Sequence, residues 1–225
     1  MKKIVILLVL IVSSCTSEIQ YLGTEKVVIK GKLITENNVP IPNHKISVNI
    51  IKYGDSGWFG GSYENNLIAF GNTDSNGNYT FVFPKPSNFD DIEISTNEED
   101  ITYNSQKVSQ FNMDDFLNFQ FDAPTMKIFE KQNLTKLKIT LNQLSTNTSL
   151  NKIEYIGQVA EENIRINITP ETEYYNNMQL NKLVKKNQTL IVRYTKINYT
   201  TNVTTVTDEN VIIDNSDQIN YVLNY

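Results

Sequence analysis

The sequence predicts an all-β chain built as two consecutive β-sandwiches. Two observations carry this. Apolar and polar residues alternate in one short run after another, and clusters of Asn, Asp, Gly and Pro separate the runs. Val27, Ile29 and Leu33 share one strand face, with Gly31 in register between them. Ile46, Val48 and Ile50 alternate with Lys45, Ser47 and Asn49. Tyr79, Phe81 and Phe83 alternate with Thr80 and Val82, and Leu137, Ile139 and Leu141 with Lys136, Lys138 and Thr140. Such a pattern belongs to half-buried antiparallel strands. The turns between them are Asn37-Asn38, Asp74-Ser75-Asn76-Gly77-Asn78 and Pro84-Lys85-Pro86. A polar stretch, 143–149, breaks the pattern and is the expected boundary. Alternation resumes at Ile153 and Tyr155, then Ile164, Ile166 and Ile168, then Leu190, Val192 and Tyr194, then Val211 and Ile213, and last Ile219, Tyr221, Leu223 and Tyr225. Two gaps remain. Residues 110–121 suit a short helix starting near Asn112, with Asp114 and Asp115 in its first turn. Thr169-Pro170-Glu171 reads as an N-cap with proline at the first helical position, so 170–186 is expected to include a helix. Neither gap has a clean apolar stripe, so a loop fits each as well.

The N-terminus carries a different pattern. Lys2 and Lys3 precede the apolar run 4–12, and Val12-Ser13-Ser14 leads to Cys15, the only cysteine. A basic head, an apolar segment too short to span a bilayer and small residues before a cut make a secretory signal of residues 1–14. Val12-Ser13-Ser14-Cys15 resembles the lipobox of bacterial lipoproteins. That resemblance implies acylation of Cys15, a tether over 15–24 and attachment to the membrane by lipid. With Thr16 after the cysteine it implies the outer membrane, facing either side.

Removing 1–14 leaves 211 of the 225 residues and 18 basic against 25 acidic, a balance of −7. That acidity speaks against a nucleic-acid partner. Lipidation of Cys15 leaves no thiol, which excludes disulfides and thiolate sites. His44 is the only histidine, too few for the usual zinc set, and its place before a strand reads as a loop or strand-edge residue. No cofactor or metal is expected.

Three segments resemble the carboxypeptidase regulatory-like domain: 28–33 with its inner Gly31, then Val39-Pro40-Ile41-Pro42-Asn43-His44 leading into 45–48, then 72–81 with Thr73-Asp74 and Gly77-Asn78-Tyr79. The resemblance implies a small prealbumin-like β-sandwich over 25–143, without a peptidase zinc site. The remaining 150–225 is expected to form a second β-rich domain. In bacterial envelopes such domains are structural or interaction modules.

Three places invite chemistry. Asp74, Asn76 and Asn78 have the oxygen spacing that opens a calcium loop, but no acid follows where a bidentate ligand belongs, so a hairpin turn is expected. Asp90, Asp91 and Glu93, with Glu98, Glu99 and Asp100, offer carboxylate pairs of the kind glycosidases use, or solvated loop charge. Residues 53–63 hold Trp58, the only tryptophan, beside Phe59 and among four glycines, with Tyr63 closing the segment. Glycines around large aromatics suit a loop that presents them to a sugar or protein partner, or one that folds back over the sandwich. The chain is therefore expected to be a lipid-anchored envelope protein acting as a non-catalytic structural or binding module, with Trp58, Phe59 and Tyr63 as its ligand-binding residues. Its partners are the membrane, through Cys15, and an envelope protein or glycan. Two rivals stand beside this: a carbohydrate-binding lipoprotein using the Trp58 loop, and a glycoside hydrolase-like enzyme using the acidic cluster.

Overall fold

The computed structural model describes residues 19–54, 63–168 and 178–225. These residues form an all-β structure with two main hydrophobic cores, each between a pair of sheets. In the first sheet β1 (Gln20–Thr35) pairs antiparallel with β4 (Asn78–Ser87). On its other edge β1 takes two short parallel strands, β7 (Gln120–Asp122) and β8 (Met126–Ile128). The facing sheet runs in the order β12 (Asn163–Arg165), β6 (Lys107–Phe111), β5 (Asp91–Thr96), β2 (Lys45–Tyr53) and β3 (Tyr63–Asn72).

The alternation seen in the sequence sets the first core. Val27, Ile29 and Leu33 of β1 and Tyr79, Phe81 and Phe83 of β4 meet Ile46, Val48 and Ile50 of β2 and Ile92 and Ile94 of β5. Phe111 stacks on Phe121, their ring centroids 4.2 Å apart. Burying one such side chain contributes about 1.5–3 kcal/mol. Two sequence details hold this half together. A Cβ on Gly31 would fall 2.2 Å from the Tyr79 hydroxyl, so the tyrosine lies flat across the strand only because residue 31 has no side chain. Gly77 closes the β3–β4 turn at φ 75°, and its carbonyl accepts from the Leu33 amide of β1.

The second core lies between a sheet ordered β11 (Val159–Ala160), β13 (Asn181–Lys185), β9 (Leu134–Asn142), β16 (Gln218–Asn224) and one ordered β10 (Thr148–Ile156), β14 (Gln188–Asn198), β15 (Val203–Ile213). Leu137, Ile139, Val184 and Leu223 of the one face Leu150, Ile153, Leu190, Val192 and Val211 of the other. Glu209 of β15 ties the two sheets. Its carboxylate accepts from the Tyr194 hydroxyl of β14 at 2.9 Å and from the Tyr221 hydroxyl of β16. Burial, then the bond to Glu209, pushes the Tyr221 hydroxyl up to about 12.

The structure corrects two expectations and bears on two more. The tether expected over 15–24 is strand from Gln20 onward, because Gln20 and Tyr21 pair with Ser87 and Pro86. β9, expected within 25–143, is hydrogen-bonded to β13 and β16 and packs in the second core, so the change of core precedes Leu134 and does not fall at 143–149. A minor cluster of Phe129, Leu134 and Ala160, with Leu183 against it, marks that change. Of the helix expected over 170–186, the part 181–185 is strand β13, where pairing with β9 buries Val184 and outweighs the capping pattern upstream. Residues 169–177 lie outside the described residues. The short helix expected near Asn112 is present as one 3₁₀ turn, Met113–Asp115, with Asp114 and Asp115 in it and a capping box between Asn112 and Asp115.

Residues 161–167 leave the second half and run along the first. Lys107 donates its amide to the Glu162 carbonyl at 2.9 Å, and Ile166 and Asn167 donate theirs to Ser109 and Gln110. Ile164 and Ile166 pack against the first core. Strand pairing therefore crosses position 145 both forward, through β9, and backward, through β12. A protease site engineered into 143–149 and cut should leave both fragments eluting as one native species that separates only in denaturant. Separation in plain buffer would show that these pairings do not hold the halves.

Candidate functional site

The expected binding residues end on the β2–β3 hairpin. Trp58 and Phe59, like Cys15, lie outside the described residues. Tyr63 opens β3 and is 68% exposed, directly across from Tyr53. Tyr53 is fixed from below: its amide donates to Asp90 at 2.6 Å and its hydroxyl to Asp91 at 2.9 Å. Burial, with the Asp91 bond next, pushes that hydroxyl up to about 12. Beyond Tyr63, β3 exposes Leu67 and Phe70 on the outer face, and Lys45 lies 6.0 Å from the Phe70 ring centroid. Among the described residues β3 has one hydrogen-bonded neighbour, β2, so its other edge is open. The sequence reading missed β3. A bulge between Val48 and Asn49 leaves Ile68 unpaired, which shifts the alternation and puts Leu67 and Phe70 together on the outer face.

The acidic cluster is spent on structure. Asp90 and Asp91 hold Tyr53, and Glu93, nearly buried, pairs with Lys107 at 2.9 Å. Glu98 and Glu99 are exposed in a turn. Asp100 accepts amides from Thr102 and Tyr103 and faces His44 Nδ1 at 3.6 Å. Four of the six acids thus carry structural contacts. Asp74 likewise uses both oxygens within its own turn, accepting from the Asn76 and Asn78 amides and the Asn78 side chain.

His44 precedes β2 as expected but is buried, its ring edge-on to Tyr103. Burial holds its pKa below the ordinary value, with Asp100 opposing. Burial pushes Asp100 up, but the amides of Tyr103 and Thr102, with His44 and Lys131, outweigh this and hold it low.

A second place has the shape of a site. A cleft of about 570 Å³ opens on the flank of the second sandwich, between β10 and the segment 159–165, with β13 as floor. Tyr155 anchors it, its hydroxyl donating to the Gln179 carbonyl. The Lys182 ammonium lies 6.0 Å from the Tyr155 ring centroid. Burial lowers its pKa; Glu161 and Glu162 raise it, and Arg165 lowers it further. Sequence reading did not single out these residues, because 161–165 reaches the cleft only through its pairing with β6.

No family model matches the sequence, and no curated protein matches it. Solved structures are similar in part. A 9R-lipoxygenase from Cyanothece PCC8801 is 17% identical with a TM-score of 0.31, over 56% of this chain and 20% of that one. The 3-chlorocatechol 1,2-dioxygenase of Rhodococcus opacus 1CP is 8% identical with a TM-score of 0.31, over 49% and 61%. The shaft pilin SpaA of Lactobacillus rhamnosus GG is 10% identical with a TM-score of 0.32, over 89% and 98%. The chain thus spans about a fifth of the lipoxygenase and about three-fifths of the dioxygenase. At these scores the similarities say nothing of function.

One pH dependence follows from His44. Folded, it releases its proton more readily than unfolded, so its contribution to stability is complete above its ordinary pKa of 6.5 and is lost as the pH falls below that. Asp100 acts lower, its contribution being lost as the pH falls below its ordinary 3.8. With one histidine in the chain, the melting temperature should drop between about pH 7 and pH 5, and His44→Gln should flatten that drop. An equal drop in the variant would assign the slope elsewhere.

Proposed function

We infer that the chain is a lipid-anchored protein of the bacterial cell envelope, attached to the outer membrane through Cys15, that acts as a non-catalytic structural or binding module. Its first half is taken as a sandwich of the carboxypeptidase regulatory-like kind, and the strands of the second core, from β9 onward apart from β12, as a second β-rich domain. The observation that carries the binding reading is the outer face of β3. Tyr63, Leu67 and Phe70 stand exposed on an open-edged strand that leads directly out of the segment holding Trp58 and Phe59. Large apolar side chains grouped on a sheet edge mark a contact surface, because left bare they invite aggregation. The rigid sandwich holds them in place through the Tyr53 bonds to Asp90 and Asp91.

The anchor and the surface are tested separately. Cys15→Ala should abolish acyl labelling and move the protein out of the membrane fraction. Labelling that persists would overturn the localisation.

Trp58 is the sole tryptophan, so its emission reports on the hairpin end alone. Titration with envelope glycans or a candidate envelope protein should shift that emission, and Trp58→Ala and Phe70→Ser should each weaken binding about tenfold, as expected where a large aromatic is lost from a contact surface. Binding that neither substitution changes would place the contact elsewhere.

A further inference from the structure

We propose that the cleft between β10, β13 and residues 159–165 is a binding site for a short zwitterionic peptide, with Lys182 receiving a ligand carboxylate and Glu161 and Glu162 receiving an amine. The inference does not depend on the lipid anchor or on the β3 surface.

Three observations lead to it. The first is size. At about 570 Å³ the cleft falls within the range of about 300–1,000 Å³ typical of small-ligand pockets. The second is the charge of Lys182. Its ammonium is partly withdrawn from water over the Tyr155 ring, and no carboxylate of the described residues forms an ion pair with it. By contrast Lys152, on the same cleft, is neutralised by Glu154 at 3.0 Å. Arg165 adds a second positive charge close enough to lower the Lys182 pKa. Burial that costs an ammonium its hydration without supplying a partner is recovered when an anion arrives.

The third is the arrangement of opposite charge. Glu161 and Glu162 lie on the cleft, exposed, and near enough to act on Lys182 without touching it. A purely anionic ligand would meet their repulsion, and a purely cationic one that of Lys182. A ligand carrying both charges meets neither. Apolar Ile153, Val159, Ile164 and Leu183 complete the lining of the cleft. The acidic pair is also held in place: the Glu161 and Glu162 carbonyls accept from Gln106 Nε2 and the Lys107 amide, each at 2.9 Å. The backbone that carries them is thus fixed before any ligand arrives.

The test is calorimetric titration of the full chain with the tripeptide Ala-Glu-Lys, free at both termini. Wild-type protein should bind it, and binding should weaken with rising salt. A tripeptide with both carboxylates amidated should bind at least tenfold more weakly, and so should one with both amines acetylated. Lys182→Gln should lose about the same factor toward the free peptide and be indifferent to amidation, whereas Lys182→Arg should retain binding. Paired Glu161→Gln and Glu162→Gln should be indifferent to acetylation. No heat of binding at millimolar peptide would overturn the proposal. So would equal affinity for the free and blocked peptides, or equal affinity for a galacturonate trimer, which carries carboxylates and no amine. The wild-type peptide series decides the matter even if a variant fails to fold.

Discussion

The pairing of residues 161–167 with the edge of β6 is the contact on which the arrangement of this protein depends. Its hydrogen bonds include Glu162 to Lys107, Ser109 to Ile166, Gln110 to Asn167, and the Gln106 side chain to Glu161. Each satisfies a backbone group that would otherwise be left bare at a sheet edge. Their consequence is long-range. A segment that follows β11 in the second sandwich becomes a strand of the first, and Ile164 and Ile166 join a core that the chain had otherwise completed by Ile128. A bulge prepares the edge. Ser109 and Gln110 stand where β5 offers only Glu93, Gln110 takes a φ of 59°, and both carbonyls point to the incoming segment.

The same pairing builds the cleft. Without it, Glu161, Glu162 and Arg165 would trail from the end of β11. With it, they stand across from Lys182, and the flank of the second sandwich becomes a pocket with both signs of charge. Architecture and candidate chemistry here have one cause, a strand added to an edge.

The two ends of the first sandwich treat their edges differently. β4 runs through Pro84 and Pro86, which have no N–H to offer a further strand, and Lys85 between them is drawn to Glu25 at 3.0 Å. β3 has no proline, and its only charge is Glu64 near its start. A protein that guards one edge and leaves another bare with Leu67 and Phe70 upon it is asymmetric in what it offers a partner. Buried polar groups are handled with less economy. The hydroxyl of Tyr79 and Nε2 of His44 find no partner in the structure, a cost borne where the aromatic bodies are needed for packing.

The sequence alone determined the strands whose two faces differ in polarity. β1, β2, β4, β9, β14 and β16 lie where alternation put them, because a residue's side of the sheet is a local property with a period of two. The turn at Asp74–Gly77 was equally legible, since only glycine fits its backbone there. The sequence did not determine partners. It assigned β9 to the wrong core, because alternating leucines and lysines say that one face is buried without saying against what. It did not find β13, because the capping motif upstream is local while the pull of β9 is not. It missed β3, whose bulge breaks the period, and it left Lys182 unremarked, because the charges around it are brought together from separate strands. Tertiary structure decided these, for one physical reason: a strand's face is written in its own residues, but its edge is satisfied only by whichever segment folds against it.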